Sequence, residues 1–136
     1  MAEITYRCKT KTLPGTQYAE LNRAARKVFH EIEKKTKRQT YIRCPYFNKE
    51  KVFIKSFWDH LTTKGMRDKA RRVKLFSCAI ELIKENKAIK PEIIFKSKRE
   101  EVYRFAGISA DERKFSVQIR HDFKTGHKYF TSVFPE

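Results

Sequence analysis

Two hydrophobic periodicities divide the chain, a helical one up to residue 87 and an alternating one after Pro91. Residues 17–37 place apolar side chains every three to four positions, with basic side chains between them, and predict an amphipathic helix. The same spacing predicts helices over 49–64, with Asn48 as the cap, and over 66–87, the last in two halves.

Alternating or extended segments flank these predicted helices. Residues 3–9 alternate weakly and predict a short strand, and residues 40–47 predict an extended segment. Residues 114–122 alternate strictly between apolar and polar positions. Together with strands over 99–108 and 128–134, they predict a three-stranded antiparallel meander. The predicted fold is therefore α+β, with N-terminal basic helices packed on a C-terminal three- or four-stranded antiparallel sheet.

The length of 136 residues is typical of a single domain, residues 1–136. In an alternative division, residues 1–48 form a basic N-terminal extension with one helix, and residues 49–136 contain the other helices and the meander. No repeat or low-complexity linker along the chain forces such a division.

The net charge is +16, from 32 Lys and Arg against 16 Asp and Glu. Residues 1–48 and 49–90 each contribute +7, whereas residues 91–136 contribute only +2. This excess favours a polyanionic partner, nucleic acid before an anionic membrane. No apolar run approaches the roughly 18–20 residues of a membrane span, and no secretory leader is evident, so we expect a cytoplasmic protein that does not bind membranes.

Metal and cofactor chemistry find no support in the sequence. Cys8, Cys44 and Cys78 are odd in number and far apart, which predicts reduced thiols rather than disulfides or a zinc site. The chain contains no metal-binding histidine motif and no glycine-rich phosphate or dinucleotide loop. We therefore expect neither a metal nor a cofactor.

A stripe of cations is the first candidate for phosphate binding. Arg67, Arg71 and Lys74 recur at positions i, i+4 and i+7 of a predicted helix, with Arg72 beside them. Guanidinium groups donate paired hydrogen bonds to phosphate. The alternative is a solvated helix face whose charge Asp68 balances in part.

The polar face of the meander is the second candidate. Alternation places Gln118 and Arg120 on one face, and neighbouring strands supply Arg104 and either Thr131 or Ser132. Such a group could hold a phosphodiester, although one solvated face is also normal for an antiparallel sheet.

His60 is the candidate acid or base among the four histidines. It follows Trp58 and Asp59 and precedes the arginine-rich segment, and histidine exchanges protons near neutral pH. The alternative is a structural residue, which is the better interpretation for His30, in the middle of the first helix.

Several runs between Lys51 and Glu136 resemble one family. They are FWDHL at 57–61, RDKARR at 67–72, CAIELI at 78–83, YRFAGI at 103–108, FSVQIR at 115–120 and KYFTSVFP at 128–135. The pattern resembles the phage-type branch of the barnase/EndoU/colicin/RelE-like nuclease group. The resemblance covers about 85 residues of the chain.

This resemblance implies helices followed by a small antiparallel sheet and metal-independent RNA cleavage through attack of the 2′-OH. It implies His60 as acid or base, Arg71, Arg72 and Arg120 as phosphate stabilisers, and Gln118 and Ser132 as positioning groups. Arg67, Lys74, Arg104, Lys124 and Lys128 would contact the nucleic acid. The chain departs from barnase-like members because it has no evident sheet-borne glutamate base.

Two functional hypotheses follow. The first is a cytoplasmic endoribonuclease, toxin-like or from a phage or other mobile element of a bacterial host. The second is a non-catalytic nucleic-acid-binding module that uses the basic helical face. In both, RNA is favoured over DNA, and an acidic inhibitor or partner protein is compatible with the charge.

Overall fold

The computed structural model describes residues 4–136, so Glu3, the first residue of the predicted strand 3–9, lies outside the described residues. Four helices, one 3₁₀ turn and seven strands form in this part of the chain. In chain order they are β1 (Thr5–Arg7), α1 (Tyr18–Glu33), β2 (Tyr41–Cys44), the 3₁₀ turn (Pro45–Phe47), β3 (Glu50–Phe53), α2 (Lys55–Leu61), α3 (Met66–Val73), α4 (Phe76–Glu85), β4 (Glu92–Lys96), β5 (Glu100–Ile108), β6 (Lys114–Asp122) and β7 (Lys128–Pro135). None of the helices within residues 4–136 has the length and apolar character needed to cross a bilayer.

All seven strands join one mixed sheet that curls into a half-barrel. The strand order is β1-β5-β6-β7-β3-β2, and β4 pairs with the same edge of β5 as β1, nearer the start of β5. The β1–β5 and β3–β7 pairs are parallel, and the others are antiparallel. The prediction of a three- or four-stranded antiparallel sheet at the C-terminus is therefore wrong: β5–β7 are only its middle, and segments from the first half of the chain extend it.

The predicted helix over 49–64 is also wrong in its first half. Asn48 and Lys49 adopt positive φ angles of 56° and 63°, so Asn48 ends the 3₁₀ turn instead of capping a helix. The chain then forms β3, which pairs with β2, and α2 begins only at Lys55. Val52 of β3 and Ile54, the residue before α2, are both buried, and a spacing of two residues places side chains on one face of an extended segment.

The side chains of β5–β7 point to two opposite faces of the sheet. Phe115, Val117 and Ile119 are buried on one side, which we call the core face. The other side, which carries Ser116, Gln118 and Arg120, we call the polar face. The helices pack against the core face, where the ring of Phe57 from α2 stacks on Phe130 of β7 at 5.0 Å between centroids.

One buried cluster of side chains holds the whole sheet and its helices together. It includes Leu21, Ala25 and Phe29 of α1, Ile42 and Cys44 of β2, and the buried apolar residues of β5–β7, which are Phe105, Phe115, Val117, Ile119, Phe130 and Val133. Residues 4–48 therefore contribute to the same core as residues 49–136.

Gly107 gives a direct test of this packing. A Cβ atom at this position would lie 2.7 Å from Phe115 Cζ and 2.9 Å from Leu82 Cδ1, closer than carbon atoms pack. We expect Gly107→Ala to lower the free energy of unfolding by about 1–3 kcal/mol because the core must shift, as measured by urea denaturation. Gly65→Ser is the control, since Gly65 precedes α3 with no atom within 4 Å of its Cβ position. Equal stability of the two variants would contradict this packing.

Candidate functional site

The guanidinium of Arg72 connects α3 to the outer edge of β7. Its Nε donates a hydrogen bond to Asp68 Oδ2 at 3.0 Å, and one terminal nitrogen donates to Val133 O at 3.1 Å and to Ser132 Oγ. Strand β3 pairs with β7 only at Lys128 and Tyr129. The Val133 carbonyl lies beyond this pairing and still needs a hydrogen-bond donor. Arg72 supplies the donor that a neighbouring strand would otherwise provide.

A β-bulge in β7 determines which side chains lie near this arginine. Ile119 pairs with Phe130, whereas Gln118 pairs with Ser132, so Thr131 is an extra residue. Bulges change the direction of side chains, and here the Gln118 amide donates to Thr131 Oγ1 at 3.2 Å. Two hydroxyl groups therefore lie opposite one glutamine on the polar face.

Arg104 reaches the same place from β5. It pairs directly opposite Gln118, and its guanidinium donates to Gln118 Oε1 at 2.9 Å. The guanidinium carbon of Arg104 lies 4.3 Å from the ring centroid of Phe134, and that of Arg72 lies 4.7 Å from it. The two guanidinium carbons are therefore no more than about 9 Å apart. We call Arg72, Arg104, Gln118, Ser132 and Phe134 the arginine cluster.

The two arginines differ in how their charge is compensated. Arg72 is 9% exposed and pairs with Asp68, and its Nε and one terminal nitrogen donate to groups within the protein. Arg104 forms no ion pair within residues 4–136, and its buried Nε has no hydrogen-bond partner there. An unneutralised guanidinium beside a second one attracts anions, and its planar set of donors matches a phosphate.

The structure brings together three of the five predicted catalytic residues, namely Arg72, Gln118 and Ser132. Arg120 lies on the same face but pairs with Glu100 at 3.3 Å and with Asp122 at 3.7 Å. His60 is exposed near the end of α2, and no contact within residues 4–136 links its ring to the cluster.

The predicted phosphate-binding cations have different environments. Arg67 and Arg71 are exposed on α3, and Lys124 is exposed in the turn before β7. Lys74 donates from Nζ to the carbonyls of Leu13 and Gly15, at 3.0 and 2.7 Å, and so holds the segment before α1.

Lys128 is buried, on the core face of the sheet. It is only 5% exposed, and its Nζ pairs with Glu50 Oε2 at 2.7 Å above the ring of Phe47. This hydrogen bond and the charge of Lys128 lower the pKa of Glu50. Lys128 therefore stabilises the contact between β3 and β7.

Phe134 is the member of the arginine cluster that the sequence pattern did not predict. Its signal lies in the order of residues along β7: apolar Phe130 and Val133 are both buried although they are three positions apart. Strict alternation cannot bury both, so two polar residues between them indicate a bulge. With the bulge in place, Ser132 and Phe134 share the face of Gln118.

Substitution of Arg72 and of Arg104 tests whether the first guanidinium stabilises the fold while the second is free to bind a ligand. We expect Arg72→Met to lower the free energy of unfolding by about 3 kcal/mol, since Asp68 and the Val133 carbonyl lose their buried partner. Arg104→Met should cost about 1 kcal/mol or less, because it removes one hydrogen bond and one unpaired donor. Guanidinium chloride titrations measure both values. Similar losses for the two variants would contradict the different roles.

Comparisons of the chain with protein-family models, with curated proteins and with solved structures find no match. The function is therefore inferred from the residues and contacts of the arginine cluster. Its features are a buried, neutralised Arg72, an available Arg104, and amide and hydroxyl groups beside them.

Proposed function

We propose that the protein binds RNA and holds a backbone phosphodiester at the arginine cluster. The observation that supports this most directly is Arg104, a guanidinium without a carboxylate partner within residues 4–136, beside the buried Arg72. In a chain of net charge +16, such a group attracts a polyanion and then holds one phosphate by paired hydrogen bonds.

We further propose that the bound phosphodiester is cleaved without a metal. The 2′-oxygen attacks phosphorus as a base removes its proton, and the bond from phosphorus to the 5′-oxygen breaks as that oxygen gains a proton. The products are a 2′,3′-cyclic phosphate and a 5′-hydroxyl. Arg72 and Arg104 would stabilise the charge that builds on the non-bridging oxygens, and Gln118 and Ser132 would orient the phosphate.

His60 is the residue to which we assign proton transfer. It lies on α2, which packs against the core face of β7, whereas Ser132 and Phe134 lie on the polar face of the same strand. The RNA would therefore have to extend from the arginine cluster to α2 to meet His60. Its side chain is exposed and therefore accessible to a bound substrate. Imidazole is the side chain that most often transfers protons in general acid–base catalysis.

Binding without cleavage is the second candidate function. It is favoured by the composition of the arginine cluster: within residues 4–136, the carboxylate that contacts the cluster, Asp68, is engaged by Arg72. A phosphate held there would meet donors of hydrogen bonds but no free base. The two candidates share the binding site and differ only in whether His60 completes it.

Binding is tested with a 5′-labelled single-stranded RNA in fluorescence anisotropy at several salt concentrations. We expect Arg104→Gln to weaken binding and to reduce the slope of log K against log salt by about one. Arg23→Gln is the matched control, because Arg23 is exposed on α1, on the opposite side of the sheet. Equal loss in both variants would indicate diffuse attraction rather than a site.

Cleavage is tested with the same RNA in the presence of EDTA. We expect shortened products that end in a 2′,3′-cyclic phosphate, and a rate at least about tenfold lower for His60→Ala and Arg104→Gln, since each removes a group acting in the transition state. A substrate with one 2′-deoxynucleotide at the cut position should resist. RNA that stays intact with the wild-type protein would leave binding as the function.

A further inference from the structure

A row of aromatic side chains crosses the polar face at the other end of the sheet. Tyr41 of β2 pairs opposite Phe53 of β3, and Phe53 pairs opposite Tyr129 of β7. Their ring centroids are 6.2 and 5.9 Å apart. His127 adds a fourth ring, 5.0 Å from that of Phe53. We call these four side chains the aromatic row.

The aromatic row does not contribute to the hydrophobic core. None of its members belongs to the buried cluster or to the partly buried side chains that pack on it. Tyr41, Phe53 and Tyr129 are half-buried against one another, and His127 is exposed. Core packing therefore does not account for four adjoining rings on a face turned away from the helices.

Cations surround the aromatic row without acidic partners. A hollow of about 720 Å³ lies over Tyr41, Phe53 and His127, and the charged residues that line it are Lys35, Lys37, Arg38 and Lys51. None of these four cations forms an ion pair within the described part of the chain. The Nζ of Lys51 lies 4.6 Å from the ring centroid of Tyr41.

The aromatic row is continuous with the arginine cluster. Arg120 of β6 pairs opposite Tyr129, and its guanidinium carbon lies 5.2 Å from that ring. Gln118 is the next residue of β6 on the same face. From β2 to β5 the face crosses four strand spacings, or about 19 Å, enough for several nucleotides of one strand.

We propose that the polar face binds single-stranded nucleic acid, with unpaired bases stacked on the aromatic row and flanking phosphates held by Lys35, Lys37, Arg38 and Lys51. This inference rests on the proposed function, because the arginine cluster takes a phosphodiester of the same strand. Rings can stack only on exposed base faces, which a duplex hides. Acidic proteins and anionic membranes would form ion pairs with the cations but carry no bases to stack on the aromatic row.

The first test compares wild-type binding of a 12-nucleotide RNA with binding of the same RNA in a blunt duplex. Anisotropy at matched salt should give at least about fivefold tighter binding of the single strand, the lower limit for stacking of one base on one ring. Single-stranded DNA of the same sequence should also bind, because a ring contacts the base and not the sugar. Equal affinity for single strand and duplex would overturn the proposal.

The second test removes single rings. Phe53→Leu and Tyr129→Leu keep an apolar side chain, and each should weaken single-strand binding by about five- to 150-fold, the equivalent of one base–aromatic stack. The salt slope should stay unchanged, whereas Lys51→Gln should reduce it by about one. Phe95→Leu is the control, since Phe95 is an exposed ring on β4, outside the row. Thermal melts establish that each variant folds.

The outcomes separate this inference from the proposed function. If Arg104→Gln weakens binding and the ring variants do not, the aromatic row is excluded and the phosphodiester site stands. If the ring variants weaken binding and Arg104→Gln does not, base stacking on the aromatic row is supported and phosphodiester binding at the arginine cluster is contradicted. Loss of binding to polyglutamate or to phosphatidylserine vesicles in the same ring variants would overturn the assignment to nucleic acid.

Discussion

The hydrogen bonds of the Arg72 guanidinium are the interaction on which the docking of α3 on β7 and the arginine cluster both depend. The guanidinium donates to a carboxylate of its own helix and to two groups of β7, one of them a backbone carbonyl. Removing such a charge from water costs several kcal/mol, and three acceptors offset that cost. The same contacts hold α3 on β7 and fix Ser132 beside Gln118. Arg72 therefore has a structural role, although it lies on a helix rich in basic side chains.

The local pattern of the sequence determines the middle of the sheet but not its edges. The extended patterns of β5, β6 and β7 are properties of neighbouring residues, and the turns between these strands are short. By contrast, β1 and β3 pair in parallel with strands far along the chain. Such pairs have no local turn to mark them. Strand β3 has only four residues, too few to distinguish a strand from a helical turn by periodicity.

The candidate site was predictable in part for the same reason. Gln118 and Arg104 follow from the alternation of two adjacent strands, because a register of this kind places polar residues on one face. Ser132 depends on the bulge, since strict alternation from Phe130 would turn it to the core face. The cations could not be sorted by sequence alone: Lys128 and Lys74 have the same side chain as Lys51, and only the tertiary contacts show that the first two are engaged.

The position of β7 in the sheet has a consequence for synthesis of the protein. This strand follows every other described element along the chain, yet it lies between β6 and β3, and its Lys128 pairs with Glu50, 78 residues earlier. Pairing between such distant segments is slow and cannot begin before both exist. A nascent chain that lacks β7 would contain the basic helices but neither Ser132 nor Phe134. The arginine cluster therefore assembles only after translation has passed these residues.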